Sequence, residues 1–347
     1  MDSYIYTFNL KPDWQLISLI SQIDRFDASW TSVERREKQN LKQLKSIATV
    51  KSVGASTRIE GSKLTDEEVD VLLKNIDITK LEDRDTQEIV GYFEALDMIS
   101  EVYDNIQITA GDIKNLHNIL MKYSEKDAWH KGNYKQHSNA VEAKYADGTQ
   151  QVIFKTTGPG IDTETAMNEL IAWYNYENAV HPLVKCAVFN YEFLSIHPFQ
   201  DGNGRLSRLL SSLLLLKNGY KWIQYISFEH EIESRKPEYY QVLRSCQAQR
   251  PNENISDWVH FFFDALKNIQ EQLMQKLQIH QTAAEQLLPR EKLVVGYIQN
   301  HPGCKSGDIV KGLGISRMII IRLLLTLINK GLIEKHGEGS ATHYSIS

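Results

Sequence analysis

Apolar residues recur every three or four positions along most of the chain, which is the spacing of amphipathic helices. The pattern is clearest over residues 183–194 and 206–214, where apolar side chains form one broad stripe on each predicted helix. A further long helix is predicted from Ser256 to about Gln281, with aromatic residues on one side. The pattern therefore predicts a mainly α-helical protein.

One region, residues 132–161, departs from this helical pattern. Its QVIF segment at 151–154 predicts a short strand, and its ADGT segment at 146–149 predicts the turn of a hairpin. Only 8 prolines and 19 glycines are spread over 347 residues, which leaves little room for an all-β fold. A single short β-hairpin within a helical fold is the expectation.

The last 60 residues, 288–347, predict a separate winged-helix domain. Three helices are predicted over 290–299, over 305–313 and from Ser316 to Gly331, and a short two-stranded wing follows them. This segment holds eight Lys and Arg residues against four Asp and Glu residues. Units of this type often read DNA, while others make dimer or protein contacts, so both roles remain open.

These segments divide the chain into four predicted parts. The parts are an N-terminal helical region at 1–104, a helical core with its hairpin at 105–265, a connecting helix at 266–287 and the winged-helix domain at 288–347. Three tryptophans are expected to anchor the core, and they are Trp14, Trp30 and Trp258.

Composition is that of an ordinary globular protein, with 42% hydrophobic and 24% charged residues. The formal net charge of −5 argues against a chain coated in basic residues for bulk nucleic-acid or membrane binding. Three widely separated cysteines disfavour a disulfide framework and a cysteine zinc site. Since neither a signal core nor a membrane span is evident, a cytoplasmic protein without a membrane partner is predicted.

The densest chemistry lies in the segment HPFQDGNGRLSR, residues 197–208, between two predicted apolar helices. Pro198 disfavours helical backbone at His197, so the preceding helix ends there and the imidazole stands at a tight loop. Gly202 and Gly204 allow the backbone to bring N–H groups close to a ligand. The loop opens a helix whose free N–H groups and dipole favour an anion.

Two arginines, Arg205 and Arg208, lie three residues apart and share a face of that helix's first turn. Because cations at a helix N-terminus oppose its dipole, their presence indicates bound phosphate oxygens. Asp201 beside them offers the hard oxygen ligand that magnesium bridging phosphates requires. The segment is not a P-loop, since no GxxxxGK[ST] occurs, and His197 and Asp201 lack a third zinc ligand.

Residues 197–208 resemble the motif HPFxDGNGRxxR of the Fic domain at every fixed position. The resemblance, over about 108–216, implies a Fic helical core that transfers AMP from ATP to a Ser, Thr or Tyr hydroxyl of a target protein. His197 would deprotonate this hydroxyl, and Asp201 would hold Mg²⁺. The motif residues that would bind ATP are Asp201, Gly202, Asn203, Gly204, Arg205, Leu206, Ser207 and Arg208.

The same resemblance implies that residues 132–161 form the flap that aligns the target by strand addition. Gly204 stands where related kinases of the family carry lysine, which favours transfer of AMP over transfer of phosphate. Further ATP contacts are expected outside the motif, at Thr156, Thr157, Tyr239 and Gln247.

A second motif, STRIEG at 56–61, resembles the inhibitory signature [ST]xxxE[GN] of Fic proteins. A helix is predicted to end at Gly61, so Glu60 is an anion at a helix C-terminus and needs a cationic partner. The resemblance makes Arg208 that partner. It further implies that Ser56, Glu60 and Gly61 inhibit the enzyme by taking the counter-charge of the γ-phosphate.

Three functions follow from these observations. The first is a self-inhibited protein adenylyltransferase that also modifies itself and, by the habit of the family, forms a homodimer. The second is removal of AMP from a modified protein, with Glu60 activating water. The third is a DNA-binding regulator that uses the Fic core to sense nucleotide. The intact motif favours an active enzyme but does not separate addition of AMP from its removal.

Overall fold

The computed structural model describes residues 9–78, 81, 83–144, 150–285, 287–337 and 339–346. The described chain forms two compact units, one from 1–36 with 44–271 and one from 37–43 with 272–347. Within these described ranges, no helix combines the length and the apolar character that a membrane span requires.

Helices dominate the first unit, and the predicted mainly α-helical fold is confirmed. Its helices are α1 (Trp14–Arg36), α2 (Lys38–Ile59), α3 (Asp66–Lys74), α4 (Arg84–Val102), α5 (Ala110–Leu120), α6 (Ile161–Tyr176), α7 (Pro182–Ile196), α8 (Asn203–Lys217), α9 (Phe228–Ser234), α10 (Lys236–Gln247) and α11 (Ser256–Glu285). The first residues of α2 and the last residues of α11 belong to the second unit.

The centre of the first unit is the pair α7 and α8, in which nearly every side chain is buried. The sequence predicted that each helix is buried along one apolar stripe. In the structure both helices are buried on all sides. Polar groups inside this pair are satisfied, since Asn190 Nδ2 donates to Ser207 O at 2.8 Å and to Ser211 Oγ at 2.7 Å. The loop between α7 and α8 carries the HPFQDGNG segment.

The hairpin consists of β1 (Ala140–Lys144) and β2 (Gln150–Lys155), which pair antiparallel. The predicted strand at 151–154 falls within β2. The predicted turn at 146–149 lies outside the described residues. The hairpin lies in the segment of chain between α5 and α6.

The second unit contains α12 (Pro289–Asn300), α13 (Ser306–Leu313), α14 (Arg317–Asn329), β3 (Ile333–His336) and β4 (His343–Ile346). The two strands pair antiparallel, and apolar residues from all three helices form the core. Gly314 ends α13 in the left-handed conformation that a helix C-cap favours. Assignment of this unit as a winged helix stays a prediction.

The expectation that Trp14 anchors the core is wrong. Trp14 is 85% exposed, whereas Trp30 and Trp258 are 3% and 1% exposed. The first turns of α1 are buried through Leu16 and Leu19. Each helical residue turns by about 100°, so Trp14 lies roughly 200° around the helix from Leu16 and faces away from the core.

Candidate active site

The loop after α7 holds His197 in an unusual backbone conformation. His197 has φ +54°, in the left-handed region that residues other than glycine seldom adopt, and its N–H donates to Phe193 O at 2.9 Å. The loop is closed by Asn203, whose Oδ1 accepts from Phe199 N at 2.8 Å and whose Nδ2 donates to Phe199 O at 2.7 Å. The Asn203 side chain therefore bonds across the loop itself, and the part of Asn203 predicted to bind ATP is its backbone.

The N-terminus of α8 follows this loop directly. Gly202 adopts φ +81°, and the first turn closes when Leu206 N donates to Gly202 O at 2.9 Å. The backbone N–H groups of Asn203, Gly204 and Arg205 precede this first intrahelical hydrogen bond, so α8 itself offers them no acceptor. These N–H groups and the helix dipole make the start of α8 a site suited to an anion.

His117 of α5 packs against the loop between α7 and α8. Its ring stacks on Phe199 with centroids 3.8 Å apart, and its Nε2 lies 2.9 Å from Asp201 O. Its Nδ1 accepts from Gly132 N at 2.9 Å, so Nε2 carries the proton and donates to the Asp201 carbonyl. Burial lowers the pKa of His117 to about 4, which keeps this neutral tautomer. These contacts make His117 a structural residue of the loop.

The His197 imidazole is neutral at physiological pH. Burial, helped by the positive charge of Lys135, lowers its pKa to about 4. Nδ1 lies 3.4 Å from Leu194 O, which places the proton on Nδ1 and leaves Nε2 as the acceptor. A neutral imidazole of this tautomer can accept a proton from a substrate hydroxyl.

A cavity of about 210 Å³ brings most of the predicted site residues together. The predicted residues that line it are Glu60, His197, Asp201, Gly202, Asn203, Gly204, Arg205, Arg208, Tyr239 and Gln247. The predicted residues outside this lining are Ser56, Gly61, Thr156, Thr157, Leu206 and Ser207. Of these, Leu206 is fully buried in the core, and Ser207 Oγ donates to Gly204 O at 2.7 Å.

One wall of the cavity is the helix α10. Gln247 Nε2 donates to Ser195 Oγ at 3.1 Å, which ties this helix to α7. Besides Tyr239 and Gln247, the sequence reasoning missed Tyr240 and Arg244, which also line the cavity. The Arg244 guanidinium lies over the Tyr240 ring, 5.2 Å from its centroid. The i, i+4 spacing of these two residues, which places them on one face of a helix, was the available signal.

Arg205 is fixed by acidic residues. Its Nη1 lies 3.2 Å from Glu88 Oε2 and its Nη2 lies 3.6 Å from Asp201 Oδ1. Arg84 contacts the same two carboxylates, with Nε 2.6 Å from Glu88 Oε1 and Nη2 3.4 Å from Asp201 Oδ2. Burial alone would raise the pKa of Asp201, but Arg205, the Gly202 N–H and Arg84 outweigh it, and the pKa is lowered. Asp201 is therefore ionised.

Arg208 lies three residues after Arg205 on α8. It is bound by residues of the STRIEG motif, 56–61. Its Nε donates to Ser56 Oγ at 2.8 Å, and its Nη2 donates to Ser56 O at 2.9 Å and to Glu60 Oε1 at 2.8 Å. Burial alone would lower the pKa of Arg208, but the charge of Glu60 outweighs it and the pKa is raised. Burial would likewise raise the pKa of Glu60, yet the charge and hydrogen bond of Arg208 lower it. The pair is ionised on both sides.

Glu60 also lies against the start of α8. A Cβ atom added to Gly204 would overlap Glu60 Oε1 and would come within 3.4 Å of Arg208 Nη1. The absence of a side chain at 204 therefore makes room for the Glu60 carboxylate. Its side chain is 31% exposed, so it faces the cavity and is not enclosed in the core.

The end of α2 that carries Glu60 is held by contacts that the sequence did not reveal. Arg58 Nε and Nη2 donate to the two carboxylate oxygens of Glu233 at 2.7 and 3.0 Å, and Nη2 lies 2.9 Å from Asp66 Oδ1. Lys236 Nζ, at the first turn of α10, donates to Ile59 O at 2.7 Å. Shortly after this end, Thr65 and Glu68 form a capping box that begins α3.

Asp201 is the motif residue that could hold a divalent cation. Its side chain is 42% exposed and ionised. Among the residues that the structure describes, no cluster of three or more His, Cys, Asp or Glu side chains could hold a metal ion by itself. A single carboxylate beside an anion site suits Mg²⁺, which is usually shared between one or two carboxylates and the phosphates of a substrate.

Comparison with known proteins agrees with the motif. Residues 107–215 match the family model of the Fic/DOC family. The chain is 30% identical over 208 residues to protein adenylyltransferase Fic of Drosophila virilis, which covers 58% of this chain and 39% of that protein. It is 46% identical over 65 residues to protein adenylyltransferase Fic of Aedes aegypti, which covers 18% of this chain and 13% of that protein. The chain spans less than half the length of either relative.

The fold has a solved counterpart. The crystal structure of a Fic family protein from Desulfovibrio desulfuricans G20 matches with a TM-score of 0.67 at 22% identity, over 99% of this chain and 98% of that chain. This likeness covers both compact units and shows that the fold is shared.

Proposed function

We propose, on the premise that residues 107–215 match the Fic/DOC family, that the protein is an adenylyltransferase. It transfers AMP from ATP to the hydroxyl of a Ser, Thr or Tyr residue in a protein. The observation that carries the proposal is a neutral His197 imidazole in one cavity with the open N-terminus of α8. A general base beside an anion site is what transfer of a phosphate group to a hydroxyl requires.

The reaction balances with the groups in the cavity. The target hydroxyl oxygen forms a bond to the α-phosphorus of ATP while the bond from that phosphorus to the bridging oxygen breaks, and pyrophosphate leaves. The hydroxyl proton passes to His197 Nε2. The amides at the start of α8, with Arg205 and Arg208, stabilise the charge that moves onto the phosphate oxygens. Mg²⁺ bound by Asp201 and the phosphates would neutralise further charge there.

We further propose that Glu60 inhibits this reaction in the resting protein. The Glu60 carboxylate occupies the position against Gly204 that a phosphate oxygen at the helix N-terminus would need. It also engages Arg208 through a hydrogen bond at 2.8 Å. A γ-phosphate entering here would meet a carboxylate in place of a free cation, and the two anions repel each other. ATP is therefore held in an unproductive position.

Removal of AMP is the second candidate, because an ionised carboxylate of Glu60 faces the same cavity. Glu60 would take a proton from water, whose oxygen attacks the phosphorus of an AMP-modified protein. The protein hydroxyl would leave with a proton, and AMP is the product. This candidate requires Glu60, whereas AMP transfer is blocked by it, so one substitution separates the two.

The DNA-binding alternative finds less support. The exposed face of α14 presents Met318, Ile321 and Leu325, which are 76%, 45% and 58% exposed. Affinity for DNA rests mainly on cations that contact phosphates. The exposed basic residues of this helix are Arg317 and Arg322, interleaved with those apolar side chains. A protein surface suits such a face better than a DNA groove.

The test is labelling with α-³²P-ATP and Mg²⁺, in which the protein itself serves as a readily measured target. Glu60→Gly should incorporate label at least tenfold faster than wild type, because Arg208 becomes free for phosphate. The double variant Glu60→Gly with His197→Ala should incorporate none. Glu67→Gly, at an exposed acid in α3, is the matched control and should resemble wild type.

Two results would contradict these proposals. Equal labelling of wild type and Glu60→Gly would remove the inhibitory role of Glu60. No labelling of any variant, with itself or with cell extract as the acceptor, would remove the transferase. Release of AMP from the labelled Glu60→Gly product by wild type, but not by a Glu60→Gln variant, would favour the second candidate.

A further inference from the structure

Lys135 is a lysine with no exposed surface, located at the base of the hairpin. Its ammonium group donates to Asn139 Oδ1 at 2.9 Å, to Thr156 Oγ1 at 2.9 Å and to Ile196 O at 3.0 Å. A lysine ammonium has three N–H donors, and each has one acceptor here. All three acceptors are neutral, so this buried cation is satisfied by hydrogen bonds and not by a carboxylate.

The three acceptors belong to three separate segments that matter for the proposed reaction. Asn139 immediately precedes β1, Thr156 immediately follows β2, and Ile196 immediately precedes His197. One ammonium group therefore joins both ends of the hairpin to the end of the helix that presents the catalytic base.

Backbone and side-chain bonds reinforce this junction. Lys135 N donates to Pro198 O at 2.8 Å, so the residue contacts the chain on both sides of His197. Asn139 Nδ2 donates to Phe199 O at 3.0 Å, and Thr156 Oγ1 donates to Asn139 O at 2.7 Å. The hairpin base and the motif loop are thus a single hydrogen-bonded network centred on Lys135.

A buried cation at this position needs a reason, because removing a charge from water is unfavourable and an apolar side chain would fill the space at less cost. Two features of the site provide one. Ile196 O belongs to the last turn of α7, where the helix dipole favours a cation. His197 adopts a left-handed backbone conformation, which persists only when its surroundings impose it.

The charge on Lys135 is present at neutral pH. Burial lowers its pKa to about 8, which leaves the protonated form in excess at pH 7. The same charge helps to keep His197 neutral, the state in which the imidazole can accept a proton. Lys135 itself is outside the residues that line the cavity, so it acts through its neighbours.

We propose that Lys135 is a positioning residue that fixes the hairpin and His197 relative to each other. A target segment that adds to the hairpin as a strand then presents its hydroxyl at a set distance from His197 Nε2. This role rests on the proposed AMP transfer, and it concerns the acceptor side of the reaction and not the binding of ATP. Misplacement of reacting groups by about 1 Å can lower a rate by about a hundredfold.

The experiment compares Lys135→Met with its parent, the activated Glu60→Gly protein. We expect single-turnover transfer of AMP to fall at least thirtyfold, while the Kd for a non-hydrolysable ATP analogue stays within threefold. Lys135→Arg, which keeps the charge, should recover part of the rate. Lys126→Met, at an exposed lysine in the preceding loop, is the matched control and should transfer at the parental rate.

Hydrogen–deuterium exchange tests the same junction without relying on activity. In Lys135→Met, amides at the hairpin base and in the loop at 197–200 should both exchange at least tenfold faster, while α4 is unchanged. Thr156→Val removes one acceptor and leaves the lysine, so it should have the same effects at smaller size. This variant serves if Lys135→Met fails to fold.

Transfer at the parental rate, or a loss of analogue binding that matches the loss of transfer, would overturn the positioning role. So would faster exchange at the hairpin with no change in the loop. If Glu60→Gly transfers no AMP, the proposed function fails, and the exchange data decide separately whether Lys135 couples the two segments.

Discussion

Arg205 and Arg208 lie on the same turn of α8, yet their surroundings differ in kind. Arg205 is paired with Glu88, an acid from within α4 whose side chain is 8% exposed. Arg208 is paired with Glu60, an acid just beyond the end of α2 whose side chain is 31% exposed. Both arginines line the cavity, but Glu88 is buried and lies outside the cavity lining, whereas Glu60 faces the cavity.

The acidic partners of the two arginines therefore have different effects on ligand binding: one orients its arginine, and the other competes with the ligand. An enclosed partner such as Glu88 can hold a guanidinium in one orientation while its remaining N–H groups stay available to a ligand. A partner that faces the cavity competes with the ligand for the same N–H groups. Removing the acid should therefore harm activity at Arg205 and increase activity at Arg208.

The largest effect is expected from Glu88→Gln in the Glu60→Gly protein. Loss of the buried carboxylate leaves Arg205 with only the more distant and more exposed Asp201 as its acidic partner, and AMP transfer should fall by about 30- to 100-fold. Single-turnover labelling measures this change. Glu101→Gln, which removes an exposed acid from the same helix, is the control, and an equal loss in both variants would contradict the distinction.

A smaller effect in the opposite direction is expected from Arg58→Met in the wild-type background. This substitution removes the paired hydrogen bonds to Glu233 that hold the end of α2, and labelling should rise. A partly buried charged contact contributes about 1 to 2 kcal/mol, which corresponds to a rise of about five- to thirtyfold.

The control for Arg58→Met is Lys45→Met, which removes a more exposed ion pair from the same helix. Labelling by Arg58→Met should remain below that of Glu60→Gly. Adding Arg58→Met to Glu60→Gly should raise labelling no further. A further rise in the double variant would show that Arg58 acts independently of Glu60.

The smallest effect concerns pH. Arg208 lowers the pKa of Glu60 below its usual 4.5, so Glu60 stays ionised as the pH falls from 8 to 5.5, and inhibition should persist. The ratio of Glu60→Gly labelling to wild-type labelling, which cancels the titration of His197, should change by less than about twofold. A ratio that approaches one by pH 5.5 would mean that the pKa of Glu60 is raised.

Local features of the fold could be predicted from the sequence. The end of α7 at His197 follows from Pro198, the capping box at Thr65 follows from residue spacing, and a strand near 151–154 follows from its apolar run. Each of these depends on residues within a few positions of one another. The predicted pairing of Glu60 with Arg208 came from motif resemblance and is present in the structure.

The partners that complete the site could not be predicted, because they are distant in sequence. Glu88 and Arg205 lie on separate helices, as do Arg58 and Glu233, and no local pattern links them. No local pattern distinguishes Lys135 from a surface lysine, yet in the folded protein it is fully buried and donates to Ile196 O at the end of α7. The positioning role proposed for Lys135 could be inferred only from the three hydrogen-bond acceptors around its ammonium group.

Gly204 has a consequence for how this protein can change by mutation. Any side chain at 204 would displace the Glu60 carboxylate, but it would also occupy the place where the proposed mechanism needs a phosphate. Selection that preserves catalysis at this position therefore also preserves the space that the Glu60 carboxylate occupies. Variants that escape inhibition and keep activity should arise in the STRIEG segment, and those that arise in the catalytic motif should be inactive.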